Sequence, residues 1–276
     1  MTVDLASLVW GPPGGRRTTL LIHGLGNAAA TWWRVGSALA EHGWRTTAVD
    51  LRGHGASPPG DRYDIDALAA DIVQHAGGRS WDVAVGHSLG GPVLVRAAQQ
   101  GLRVKRTVLL DPLLRLSGDD EQLITSELDE RQAHASGNLP VAGWHPEDLE
   151  RKAAAARATT SWVVERCLRD GAPWDLVADG ALHAVPSLEI LASDPAIGSL
   201  VTDADLAEIA RTVPTAALHR IPGAGHGLHR EATTDVVRAI AGGVARSGNR
   251  APTVRGSSSG GSDGREVGGG PRVGPE

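Results

Sequence analysis

Phenylalanine is missing from this chain of 276 residues, which also holds one tyrosine, one methionine and one cysteine. The eight tryptophans must therefore carry the aromatic packing of core and pocket. With Cys167 as the lone cysteine no intrachain disulfide can form, which fits a reducing cytoplasm and predicts a cytoplasmic protein. Apolar runs approaching the width of a bilayer are absent, so no membrane span is expected. The stretch from Met1 to Gly15 has no basic region followed by a long apolar segment, so it does not read as a signal peptide. Basic residues number 27 and acidic ones 32, for a net charge of −5. Without a basic stripe, nucleic acid is not an expected partner. The length suits one domain, with or without an inserted lid, and is ample for a large core.

What is present is an alternation of strand-like and helix-like segments, the signature of a mostly parallel sheet with helices on both faces. Strands are expected at Val3 to Trp10, Thr18 to Ile22, Arg45 to Val49, Val83 to Val85, Val104 to Leu110, Ser187 to Leu191 and Ala216 to Ile221. Helices are expected at Thr31 to His42, Ile65 to Ala76 with Asp64 as cap, Pro92 to Gln100 and Thr233 to Ala245. From Leu113 to about Val185 the pattern turns helical and strand-poor, with helices expected at Asp119 to Ala135 and Pro146 to Leu168. This organisation divides the chain into a core of residues 1–112 and 186–245, a helical lid of 113–185, and a tail of 246–276. The tail is rich in Gly, Ser, Pro and Arg and reads as disordered.

Three loops stand out. Gly86-His87-Ser88-Leu89-Gly90 has the pattern G-x-S-x-G. Two further matches, starting at Gly256 and Gly260, lie in the tail without an apolar run beside them. Only Ser88 follows a strand-like segment, Trp81 to Val85, and precedes a helix, the context in which a tight turn pushes a serine hydroxyl out of a sheet edge. Asp194 and Gly225-His226 each follow a later strand, so serine, acid and histidine come in that order. A serine hydroxyl is a poor nucleophile until a base takes its proton and an acid orients that base.

This ordered set resembles the α/β-hydrolase superfamily, over roughly residues 3 to 245. The resemblance implies an α/β fold with a helical lid and a lid-bearing serine hydrolase of the esterase or thioesterase kind. It implies Ser88 as nucleophile and His226 as base, in a loop Pro222-Gly223-Ala224-Gly225-His226 similar to the superfamily's histidine loop, with His229 as the rival. The implied acid is Asp194, in the turn Ala192-Ser193-Asp194-Pro195. Asp111, at the end of the preceding strand, is the alternative that some members use. The oxyanion donors would be the backbone N–H groups of Leu89 and of Leu25, the latter in His23-Gly24-Leu25-Gly26. Candidate pocket residues are His23, Trp32, Trp33, Trp144, Trp162 and Trp174, although His23 and His87 also read as residues that order the loop and the elbow. The expected substrate is a small molecule with an acyl group: a carboxylic ester, thioester or lactone. No metal or organic cofactor is implied, and oligomeric state is open. Other chemistries hosted on the scaffold, such as C–C bond hydrolysis, lyase, cyclase or cofactor-free reactions, and a non-enzymatic ligand receptor, stay open at this point.

A second reading uses Gly24-Leu25-Gly26-Asn27-Ala28-Ala29, which fits the dinucleotide fingerprint G-x-G-x-x-A, with Asp50 at the ribose-binding distance. It leaves the Ser88, Asp194 and His226 loops unexplained. Tyr63 has Ala67 four residues on rather than a lysine, so a short-chain dehydrogenase centre is missing. Metal-hydrolase motifs such as H-E-x-x-H do not occur.

Overall fold

The computed structural model describes residues 1–117, 120–137, 141 and 143–242. In chain order it places β1 (Ser7–Trp10), β2 (Arg17–Ile22), α1 (Trp33–Glu41), β3 (Trp44–Val49), α2 (Ile65–Ala76), β4 (Ser80–His87), α3 (Gly90–Gln99) and β5 (Arg103–Leu110). After these come β6 (Arg115–Leu116), α4 (Glu121–Ala135), α5 (Pro146–Ala158), α6 (Ser161–Arg169) and β7 (Trp174–Asp175). The chain continues with β8 (Leu188–Ala192), α7 (Asp203–Thr212), β9 (Ala217–Arg220), α8 (Leu228–Glu231) and α9 (Thr233–Gly242).

Seven strands form one sheet in the order β1-β3-β2-β4-β5-β8-β9. Only β1 runs antiparallel. The central strands read Leu20-Leu21-Ile22, Val83-Ala84-Val85 and Val108-Leu109-Leu110, and all these side chains are buried. Such continuous apolar runs are what a parallel sheet needs, since both of its faces are covered. α2 packs with α3, and α1 with α9. The loop after β3 is pinned by a buried ion pair in which Arg52 grips both carboxylate oxygens of Asp71, at 2.6 and 2.7 Å.

Three differences between the expected and the observed elements have a local reason. Val3 to Ala6 do not join β1, because the amide of Val3 donates to Asp71 and that of Ala6 to Ser57 instead of to a ladder. The helix expected at Pro146 to Leu168 is two helices. Thr159 is extended, and the Thr160 hydroxyl caps α6 by accepting from the Val163 amide. Such hydroxyls compete with the helical hydrogen bond. α7 is not among the expected helices; it forms the crossover between the parallel neighbours β8 and β9. Its signal was present: Thr202 and Asp205 form a reciprocal capping box. The start of the helix expected at Asp119, and the tail 246–276, lie outside the described residues.

Candidate active site

β4 delivers Ser88 to the C-terminal edge of the sheet, and α3 starts two residues later. Ser88 takes a left-handed backbone, φ +51°, which is uncommon for a residue with a side chain and concentrates at functional turns. The turn is tight enough to dictate its glycines. A Cβ at Gly86 would stand 2.3 Å from the Gly90 carbonyl oxygen, and one at Gly24 would stand 2.8 Å from the Ser88 Cβ. The backbone locks the elbow from both sides, since the Ser88 amide donates to Leu110 O and the Ser88 carbonyl accepts from Gly91 and Leu113.

The loop from His23 to Asn27 packs directly on this turn. His23 is buried and donates through Nδ1 to Gly24 O, while its Nε2 accepts from the Leu51 amide. That fixes one neutral tautomer, and burial pushes its pKa down to about 4. Both ring nitrogens of His23 are thus committed to holding the loop. Asn27 holds the loop from within through Nδ2–H to Leu25 O. Among the described residues, neither the Leu25 amide nor the Leu89 amide donates to a protein acceptor.

His226 sits after β9, and its Nδ1 lies 2.7 Å from Asp111 Oδ2. This corrects the expected acid: the structure brings Asp111, not Asp194, to His226. Asp111 has φ +40° and a fully buried carboxylate. It accepts further hydrogen bonds from Ser199 Oγ at 2.6 Å, the Leu200 amide at 3.0 Å and the Ser193 amide at 3.1 Å. Burial alone would raise its pKa, but the hydrogen bond and charge of His226, with the Ser199 and Leu200 donors, hold the carboxyl well below the usual range. Asp194 instead caps the short turn that follows it, accepting from the Ala196 amide at 2.9 Å and the Gly223 amide at 2.8 Å. Those amides hold its pKa low without any histidine.

The rival base, His229, is buried, and neither ring nitrogen has a hydrogen-bond partner among the described residues. It packs against Trp32 and His87, both at 4.7 Å between ring centroids. His87 lies beneath the elbow and donates from Nε2 to the His226 carbonyl at 2.9 Å.

The tryptophans divide. Trp144 reaches the histidine loop, where its Cζ2 would lie 3.4 Å from a Cβ on Gly227. Its Nε1 donates to Glu231 at 3.2 Å, and Glu231 also accepts from the Gly225 amide at 2.6 Å. Trp32 is fully buried behind His229, and Trp33 donates to Asp148 of α5 at 2.7 Å. Trp174 donates to Leu113 O. Trp162 is half exposed and edge-on to Tyr63.

In the dinucleotide reading Asp50 would meet a ribose. Its carboxylate is instead committed to the Ala29 amide at 2.6 Å and the Ala56 amide at 2.9 Å, which tie the loop after β2 to the loop after β3. No described helix is long and apolar enough to cross a membrane.

Sequence comparison places relatives beside this geometry. The chain is 25% identical over 263 residues to the sn-1-specific diacylglycerol lipase ABHD11 of Xenopus laevis, covering 84% of this chain and 79% of that protein. A serine hydrolase-like protein of Dictyostelium discoideum is 30% identical over 128 residues, which is 44% of this chain and 35% of that protein. Among solved structures, carboxylesterase CesB (YbfK) from Bacillus subtilis superposes with a TM-score of 0.68 at 18% identity, covering 87% of this chain and 91% of that one. The model of the alpha/beta hydrolase family matches residues 19–239. With the family model spanning most of the sheet, the elbow and the histidine loop, this chain belongs to the alpha/beta hydrolase family.

Proposed function

We propose that the chain is a serine hydrolase that cleaves a carboxylic ester, thioester or lactone of a small molecule through an acyl-enzyme on Ser88. The observation that carries this reading is the 2.7 Å pairing of His226 Nδ1 with buried Asp111. It leaves Nε2 to act as base at the end of the sheet where Ser88 turns outward.

Ser88 Oγ attacks the acyl carbon as His226 Nε2 accepts its proton. Asp111 fixes the ring and stabilises the imidazolium. The tetrahedral oxyanion takes hydrogen bonds from the Leu25 and Leu89 amides, each such donor being worth about 10²–10³ in rate. Collapse of the intermediate breaks the bond to the leaving group, which takes the proton from His226. Water then gives a proton to His226 and attacks the acyl-enzyme, releasing the acid and restoring Ser88. The helices α4 to α6 act as a lid that keeps bulk water from the acyl group.

The test is hydrolysis of 4-nitrophenyl esters from acetate to long acyl chains, by wild type and Ser88→Ala. Turnover that vanishes in the mutant supports the reading, and the best chain length sizes the pocket. Esterase activity unchanged by Ser88→Ala would overturn it.

A further inference from the structure

A guanidinium buried without a counter-ion stands beside this site. Arg230 is 5% exposed, yet among the described residues it has no carboxylate within 4.0 Å. Its Nη2 reaches the side-chain oxygen of Asn27 in the oxyanion loop. A Cβ on Gly227, next to His226, would lie 3.4 Å from Nη1. Trp144 covers it, with the guanidinium carbon 4.5 Å from the ring centroid. The Nε–H is buried and has no hydrogen-bond partner among the described residues.

The nearest acids are committed elsewhere. Asp148 binds Trp33 and Arg34, Glu231 binds the Gly225 amide and Trp144, and Glu130 faces Lys152 and His134. Lys152 adds a second cation. It extends from α5, is 4% exposed, and places Nζ 3.3 Å from Gly26 O and 3.4 Å from Glu130. Two buried cations thus grip adjacent residues, Gly26 and Asn27, of the loop that carries the Leu25 amide. Burial pushes the Arg230 pKa down to about 10, against the pull of Asp148, Glu130 and Glu231. Burial also lowers that of Lys152, and repulsion from Arg230 adds to the effect. Lys152 has Glu130 as its partner, but leaving the Arg230 guanidinium without one in the interior is costly, and an anion at Arg230 would relieve that cost.

We propose that Arg230, aided by Lys152, binds a carboxylate carried by the substrate, so that the enzyme acts on acyl compounds with a free carboxylate on the same molecule. This rests on the Ser88 reading and deepens it. Arg230 bonds Asn27 of the oxyanion loop and lies beside Gly227, the residue after His226, so a carboxylate held there orients the rest of the molecule across the reacting centre. Its planar fork suits a carboxylate, and its contact with Trp144 makes the grip dependent on the insertion.

The experiment compares 4-nitrophenyl half-esters of glutaric to suberic acid with the same esters capped by methyl on the far carboxylate. In wild type, at least one chain length should be preferred over its capped form by about tenfold or more in kcat/KM, mainly through KM. The ratio should fall towards one in Arg230→Met, recover in part in Arg230→Lys and drop severalfold in Lys152→Met. Because the readout is a ratio, a general loss of activity cancels. Absence of a preference at every chain length in wild type overturns the proposal, whether or not the variants fold. A preference that survives intact in Arg230→Met also overturns it. Calorimetric titration of Ser88→Ala with the free dicarboxylates separates the two readings. Binding there that Arg230→Met abolishes upholds the anion site even if neither ester shows Ser88-dependent turnover, and absence of binding counts against it.

Discussion

Two Asp-Pro turns close neighbouring strands of the same sheet, and they differ in nearly every physical respect. Asp111-Pro112 ends β5, next to the strand that carries Ser88, and Asp194-Pro195 ends β8, one strand further out. The Asp111 backbone is left-handed and its carboxylate is fully buried with four donors, one of them His226. The Asp194 backbone is extended, and its exposed carboxylate accepts one local bond, from Ala196 of the short helical turn it caps, and one from Gly223 at the start of the histidine loop. Identical dipeptides after similar strands thus acquire different chemistry from what the rest of the chain brings to them. β5 stops where the histidine loop returns, and residues 193–200 wrap over Asp111 to supply three further donors.

The largest effect should come from exchanging the two acids for their amides. Asp111→Asn removes the acceptor that sets the His226 tautomer, and kcat should drop about 10⁴-fold, as expected when a triad acid is neutralised in place. Asp194→Asn in parallel should leave kcat nearly intact. Steady-state kinetics on one ester decides the matter. A severe Asp194→Asn with a mild Asp111→Asn would reverse the assignment.

Acidification sharpens the contrast next, because buried histidines crowd the Asp111 side. His87 lies against His226 and His229, and burial holds His87 and His229 well below the ordinary imidazole range. Burial likewise holds His23 at about 4 and His54 at about 3. Each is neutral when folded and protonates near pH ~6.5 when unfolded, so below that the unfolded chain binds more protons. Stability should therefore be full above pH ~6.5 and decline as the pH falls towards about 4 for His23 and about 3 for His54. Each histidine contributes a slope of up to about 1.4 kcal/mol per pH unit. His229→Phe keeps the packing against Trp32 and His87 and removes one titrating ring. Urea unfolding of this variant between pH 8 and pH 5 should show a shallower loss of stability, with kcat at pH 8 of the same order as wild type. A kcat collapse would instead make His229 the base.

How much of this was legible beforehand follows from where each signal resides. Ser88, His226 and the glycines around the elbow are local: a strand, a tight turn and a helix start are written in consecutive residues. The choice between Asp111 and Asp194 is not local. Both precede proline and follow an apolar strand, and what separates them is the burial and donors that the 193–200 segment and His226 supply across the fold. Arg230 shows the same limit. Within Gly227-Leu228-His229-Arg230 it reads as an ordinary charged residue of a short helix, and only the approach of Asn27, Trp144 and Lys152 makes it a buried cation. The split at Thr159-Thr160 and the capping box of α7 reside locally in threonine and aspartate side chains, a signal that apolar periodicity does not carry.

The smallest effect separates the turns by stability instead of rate. Asp194→Ala leaves the Gly223 and Ala196 amides without their acceptor, but both lie where water can take over, so no buried donor is orphaned and the penalty stays modest. The Gly223 amide nevertheless anchors the start of the loop Pro222 to His226, and the Asp194 amide donates to Ala224 O in the same loop. Thermal unfolding should show a small fall in midpoint, and kcat should change by no more than a small factor. Because the loop is held independently by Glu231 at Gly225 and by Asp111 at His226, its inner half keeps its geometry when the outer anchor is lost. If Asp194→Ala lowered kcat severely while the midpoint stayed unchanged, the outer turn would be steering His226, and the functional division between the two Asp-Pro turns would fail.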